Sequence, residues 1–214
     1  MTPHWRACYA QEGEDIILAR LFEGATQGFY VDVGAHHPRR YSNTYALYRL
    51  GWSGVCIDAN PGVSQLFSRA RPRDVFVQSG VSDQRGQLTY YRFNEPALNT
   101  FDPVLAAQRE ACTPYFLIES IVVQVQTLAD ILAVYPAPHG SPSLLSVDVE
   151  GYDLKVLRSN DWGAFRPRFV LTESIGTSIK NLLNDPQCRF LSSVGYAPLA
   201  KTMNTVFYRD MEDR

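Results

Sequence analysis

Four short apolar runs in this chain each deliver a carboxylate near their end, and that recurrence constrains the fold more than any other feature. The first, Phe29-Tyr30-Val31-Asp32-Val33-Gly34-Ala35, carries the β-branched and aromatic residues that suit a buried strand. Its Gly34 lets the backbone turn sharply where any side chain would block a ligand. Val55-Cys56-Ile57-Asp58, Leu144-Leu145-Ser146-Val147-Asp148 and Arg168-Phe169-Val170-Leu171-Thr172-Glu173 repeat the pattern. Carboxylates are costly to place beside a core without a purpose. Strands alternating with helical stretches predict an open α/β sheet, whose ligands lie outside the carboxyl ends of the strands where the strand order reverses.

With 214 residues, 45% of them hydrophobic, the chain can bury one sizeable core. A single domain over residues 1–214 is expected, with an insertion around residues 94–120. A formal net charge of -2 and a pI near 6.1 provide no basic field, so nucleic acid is not an expected partner. No window approaches the ~20 apolar residues of a membrane span, and Met1-Thr2-Pro3-His4-Trp5-Arg6 lacks the apolar centre of a signal peptide. The expected location is cytoplasmic. Cys8, Cys56, Cys112 and Cys188 form no CxxC pair, which argues against a zinc knuckle and agrees with reduced thiols.

The remaining elements follow from periodicity. Ile16, Ile17, Leu18, Leu21 and Phe22 form a helical stripe, with Glu12 and Glu14 expected at its solvated start. Residues 45–51 suit a short helix closed by glycine, and Val63, Leu66 and Phe67 suit another, for which Asn60 is a better cap than Asp58. Val75-Phe76-Val77-Gln78 reads as a strand, with a loop over residues 79–83. Residues 87–93 and 121–125 alternate as antiparallel strands do, while residues 94–120 between them show no clear period. That segment reads as a substrate-side insertion or lid, with Asn99, Thr100 and Phe101 toward the cleft. Helices over residues 127–132 and 152–157 flank a linker at 136–142, and residues 195–199 and 205–209 form a terminal hairpin.

Three places carry the chemistry. His36-His37-Pro38-Arg39-Arg40-Tyr41-Ser42-Asn43-Thr44 is dense in donors where the sheet should bind a ligand; two adjacent histidines are too few for a metal, so hydrogen bonding is the favoured role. Asp58 lies about 26 residues past Asp32, near the ~20-residue offset at which an acid meets a ribose. Asp148 and Glu150, two apart in an extended chain, share a face. Carboxylates that close either raise one another's pKa or hold a cation or hydroxyl donors. Direct hydrogen bonding by these acids is favoured over magnesium held by Asp148, Glu150 and Glu173, and no residue is expected as a metal ligand.

These segments resemble the FkbM family of S-adenosylmethionine-dependent methyltransferases, over residues 11–18, 29–61, 71–74, 94–99, 145–162 and 201–207. The resemblance implies a Rossmann-like class I methyltransferase sheet, mostly parallel, with a C-terminal antiparallel hairpin and helices on both faces. It implies that Asp32, Gly34 and Ala35 cradle the methionine part, that Asp58 holds the ribose, and that Ser79, Gly80 and Val81 flank the adenine. Gln11, His36, Asn43, Ala59 and Asp148 complete the expected cofactor contacts, and His37, Asn99 and Glu150 the acceptor contacts. Asp148 and Glu150 are the favoured bases, with His36 the runner-up and Glu173 beside them. Where many methyltransferases carry further glycines, this chain has His36, His37 and Pro38, which resembles a branch associated with bacterial polysaccharide clusters. The implied activity is O-methylation of a sugar hydroxyl on a small-molecule or glycan acceptor. A non-catalytic nucleotide-binding module or an NAD-dependent oxidoreductase stays open, although no glycine between Gly34 and Gly51 completes a G-x-G-x-x-G fingerprint.

Overall fold

A computed structural model of the protein describes residues 6–212; the signal-peptide reading of residues 1–5 falls outside them. In chain order the first half forms α1 (Glu14–Leu21), β1 (Phe29–Val33), α2 (Tyr45–Arg49), β2 (Ser53–Asp58), α3 (Ser64–Ala70), β3 (Val75–Gln78), β4 (Gly80–Val81), β5 (Gly86–Phe93) and α4 (Pro103–Cys112). There follow β6 (Leu117–Gln126), α5 (Leu128–Val134), β7 (Ser143–Val147), α6 (Asp153–Arg158), β8 (Phe169–Glu173), α7 (Pro186–Ser193), β9 (Tyr196–Lys201) and β10 (Thr205–Asp210).

The principal sheet has seven strands in the order β3-β2-β1-β7-β8-β10-β9. Pairing is parallel from β3 to β8, and β10 runs antiparallel to both β8 and β9. All five residues of β1 are buried because helices cover both faces, which is why the strand reads as a continuous apolar run. Alternation divides its side chains. Val31 and Val33 join Ile57, Val147, Ile131 of α5, Val156 of α6 and Leu191 of α7 on one face. Tyr30 joins Cys56, Leu18 of α1, Leu47 of α2 and Phe67 of α3 on the other. Fully burying each such side chain contributes about 1.5–3 kcal/mol before entropy is counted. Strand order reverses between β1 and β7, so the crevice opens where Gly34 and Asp148 leave the sheet.

A second, three-stranded sheet in the order β4-β6-β5 stands beside that crevice. It corrects three sequence expectations. The loop over residues 79–83 contains β4, which pairs with β6. β6 begins at Leu117, earlier than its alternation suggests. The stretch read as aperiodic holds α4, capped by Asp102, whose carboxylate accepts from the backbone N–H of Val104 at 2.8 Å and Leu105 at 3.2 Å. Only Ala106 and Arg109 of α4 are buried, too few to print an apolar stripe.

Two smaller expectations also change. Asn60 caps no helix: α3 starts after Val63, while the Asn60 N–H donates to Asp58 and its side-chain oxygen accepts from Arg92 at 3.1 Å. Glu12 and Glu14 are not a solvated helix start, because the turn between β9 and β10 lies against them. Glu14 is 2% exposed and accepts from Thr205 at 3.0 Å, and Glu12 accepts from Asn204 at 2.7 Å. Among the described residues no helix is long and apolar enough to cross a membrane.

Candidate active site

The exits of β1, β2 and β7 are stitched together by backbone hydrogen bonds. Gly34 and Ala35 donate to the Ile57 carbonyl at 2.9 and 3.0 Å, and Asp148 donates to the Val33 carbonyl at 3.0 Å. Gly34 has φ +81, and a Cβ there would sit 1.7 Å from the Asp148 carbonyl oxygen, so two independent constraints require glycine. Around this seam lies a cleft with about 460 Å³ of non-atom space, part of it open to solvent. Gly34, His36, Asp58 and Ala59 line one wall, Ser79, Gly80 and Val81 another, and Asp148, Val149 and Glu150 the floor. The second sheet and the segment after it supply Tyr90, Pro96, Ala97, Asn99 and Phe101.

Asp58 is buried at the end of β2. One of its oxygens accepts from the His36 N–H and the other from the Asn60 N–H, each at 2.7 Å. Burial outweighs these bonds and pushes its carboxyl up to about 6. His36 adopts a left-handed conformation, φ 50, at the start of the donor-rich loop. Burial, helped by Arg40, pushes its imidazole down to about 4, so the ring is neutral at pH 7. Its Nε2 is buried and has no hydrogen-bond partner in the protein.

Past β7 the chain gathers acids. One carboxylate oxygen from each of Asp148, Glu150 and Glu173 lies within 4.8 Å of the others. Arg109 of α4 ion-pairs with Glu150, the two side chains being only 9% and 13% exposed. Burial, then the neighbouring Glu150, holds Asp148 well above the ordinary carboxylate range. Burial and Asp148 do the same for Glu173. For Glu150 burial raises the pKa and Arg109 opposes it. Asp153, at the first position of α6, is pushed up to about 7, mainly by burial. Three acids gathered at one point, one of them paired with a guanidinium, are suited to receiving a proton or to holding a cation or a set of hydroxyl donors. Asp148 and Glu150 come together differently from the expected extended pair, because β7 ends at Val147 and Glu150 turns left-handed at φ 52. That conformation costs a residue with a side chain about 1–2 kcal/mol.

Not every residue singled out in the sequence reaches the cleft. Asp32 projects to the opposite face of the sheet, where it accepts from the Thr44 hydroxyl at 2.5 Å. Thr44 in turn accepts from Arg71 at 3.0 Å, within a buried network that pins the loop from beneath. Ala35 packs in the core, and Asn43 donates to Ser146 at 3.1 Å. His37 turns back on its own loop, its Nδ1 accepting from the backbone of Arg39 and Arg40. Gln11 is exposed and lines no part of the cleft. Glu173 joins the acids without lining the cleft. Tyr90, Arg109 and Asp153 were not anticipated. Tyr90 shares the inner face of β5 with Leu88 and was findable from alternation, whereas Arg109 sits on the helix that left no stripe.

A parallel sheet that reverses at β1 and β7, ends in an antiparallel strand pair, and opens an acid-lined crevice at the reversal defines the class I methyltransferase fold. Within that class the chain belongs to the FkbM methyltransferases: the sequence profile of the Methyltransferase FkbM domain matches residues 32–196. Two solved structures align more loosely. A candidate RNA methyltransferase, PH1948 from Pyrococcus horikoshii, aligns at TM-score 0.46 and 10% identity, covering 92% of this chain and 83% of its own. TnmH aligns at TM-score 0.42 and 16% identity, covering 92% of this chain and 53% of its own. No curated protein sequence matches the chain.

Proposed function

We propose that the chain is an S-adenosylmethionine-dependent O-methyltransferase that methylates a sugar hydroxyl of a polysaccharide or glycoconjugate, working as one domain with residues 94–120 on the acceptor side. The observation that carries this reading is a single cleft that joins the buried Asp58 carboxylate to the acids Asp148 and Glu150. The residues fit the cofactor. Asp58 keeps lone pairs for the ribose hydroxyls beyond its two backbone bonds, and the unpartnered His36 Nε2 offers an acceptor. Ser79, Gly80 and Val81 line the cleft together with the aromatic side chains Tyr90 and Phe101, a surface suited to a flat base.

When bound, S-adenosylmethionine supplies an electrophilic methyl group. The chain's own task is to align the acceptor oxygen and take its proton. A carboxylate of the Asp148/Glu150 pair takes that proton, since each is held above its ordinary range and so has a more useful basicity. His36, lowered to about 4, is the weaker base and acts as a hydrogen-bond acceptor. Sugars present hydroxyls, which an array of acids and amides such as Asn99 can bind directly. Asp148, Glu150 and Glu173 are spaced to hold magnesium as well, but Arg109 already supplies positive charge to Glu150, and no step is assigned to a metal.

Incubation with labelled methyl donor and a panel of neutral and amino-sugar glycans, followed by mass spectrometry, tests the reading. A mass gain of one methyl on a glycan supports it. Calorimetric preference for NAD over S-adenosylhomocysteine would replace it with an oxidoreductase, and cofactor binding without transfer to any acceptor would favour a non-catalytic nucleotide module.

A further inference from the structure

We propose that Thr100 and Arg109 are positioning residues that hold Glu150 in its left-handed turn and present its carboxylate to the cleft, so that the inserted segment and not the sheet sets the geometry of this acid. The proposal rests on the methyltransferase reading of the cleft. Glu150 lies beyond the end of β7, where no strand ladder fixes its backbone, and it is followed by Gly151, also at positive φ. A residue with a side chain stays in that region only when its surroundings over-determine it.

The over-determination comes from one short stretch of chain. The Thr100 hydroxyl donates to the Glu150 carbonyl at 2.7 Å. Arg109 donates one nitrogen to the Glu150 carboxylate and another to the Leu98 carbonyl at 2.5 Å. Thr100 is a rigid anchor, fully buried, with its backbone N–H and carbonyl both paired to Tyr91. Its hydroxyl oxygen also accepts from the Asp102 N–H at 2.9 Å. Asp148 and Glu173 crowd Glu150 with further carboxyl groups, and Arg109 is the cation paired with it. Thr100 acts on the backbone of Glu150 and Arg109 on its side chain, so neither contact replaces the other.

The test uses the full chain labelled with carbon-13 and nitrogen-15, in which the Cα and Cβ shifts of Glu150 report its backbone conformation without any acceptor. Thr100→Ser and Arg109→Lys are expected to keep the left-handed signature, and Thr100→Val and Arg109→Met to lose it. With a glycan acceptor in hand, Thr100→Val should lower kcat by about tenfold or more with KM and the Kd of S-adenosylhomocysteine within about twofold. Combining it with Glu150→Gln should add nothing to the loss from Glu150→Gln alone. Left-handed Glu150 shifts in both Thr100→Val and Arg109→Met overturn the proposal; if Arg109→Met does not fold, the Thr100 pair decides. Failure of the unsubstituted protein to bind S-adenosylhomocysteine would count against the methyltransferase reading, while the shifts would still decide the role of Thr100 and Arg109.

Discussion

Replacing Asp58 with alanine should separate two consequences that the structure ties to one carboxylate. In the proposed complex the ribose loses a charge-assisted hydrogen bond, about 1.5–3 kcal/mol, which is roughly 10- to 100-fold in the Kd of S-adenosylhomocysteine. In the free protein the N–H groups of His36 and Asn60 lose their acceptor, and each orphaned buried donor costs about 1–3 kcal/mol of stability. Asp58→Asn keeps one acceptor oxygen and should fall between the unsubstituted protein and Asp58→Ala on both counts. Protonation adds a second handle. The folded-state pKa stands near 6 against an ordinary 3.8, so the native state binds the proton more tightly than the unfolded chain between those values. Asp58 therefore lowers stability as pH rises from about 4 to 6, a penalty fully present above 6 and absent below 4. Ligand affinity runs the other way, because the ionised carboxylate is the better acceptor for ribose hydroxyls. Isothermal calorimetry between pH 5 and 8, paired with thermal unfolding in the same buffers, reads both. Unchanged affinity in Asp58→Ala would refute the assignment.

Three other outcomes are expected. Asp148→Asn and Glu150→Gln should each reduce turnover by ~10²–10⁴ while cofactor affinity is retained; if only His36→Ala behaves this way, the loop histidine carries the proton. Exhaustive chelation should leave turnover unchanged, and activity lost to chelation and restored by magnesium would make Asp148, Glu150 and Glu173 its ligands. Gly34→Ala should destabilise the fold by about 2–5 kcal/mol, combining a left-handed penalty with overpacking against Asp148, and a melting temperature within a degree of the unsubstituted protein would show that the seam can open.

The sheet was legible because burial on both faces writes itself as unbroken apolar runs: the observed β1 and β8 fall within the runs beginning at Phe29 and Arg168. Asp58 and Asp148 were legible as site candidates because they end such runs, and the structure sets both on the cleft. Asp32 shows the limit of that argument, since a carboxylate one residue before the strand end faces the opposite layer. Pairing rules for extended chain also misjudged how Asp148 and Glu150 meet, because the turn that joins them is left-handed and sustained from elsewhere. What escaped altogether was α4, whose contribution is a single buried arginine reaching an acid 41 positions away. No local period encodes a contact of that kind.

The closeness of Gly34 to the Asp148 carbonyl has a mechanical meaning. With room for only a hydrogen between the two turns, the loop that would grip the methyl donor and the loop that begins the acid cluster cannot slide independently. In the proposed complex the methyl donor and Asp148 would share one rigid block, while Glu150 is reached from the opposite wall, where Pro96, Ala97, Asn99 and Phe101 hang from a separate sheet. Exchanging that wall is the direct route to a new acceptor with an old reaction, provided the replacement still reaches back to Glu150.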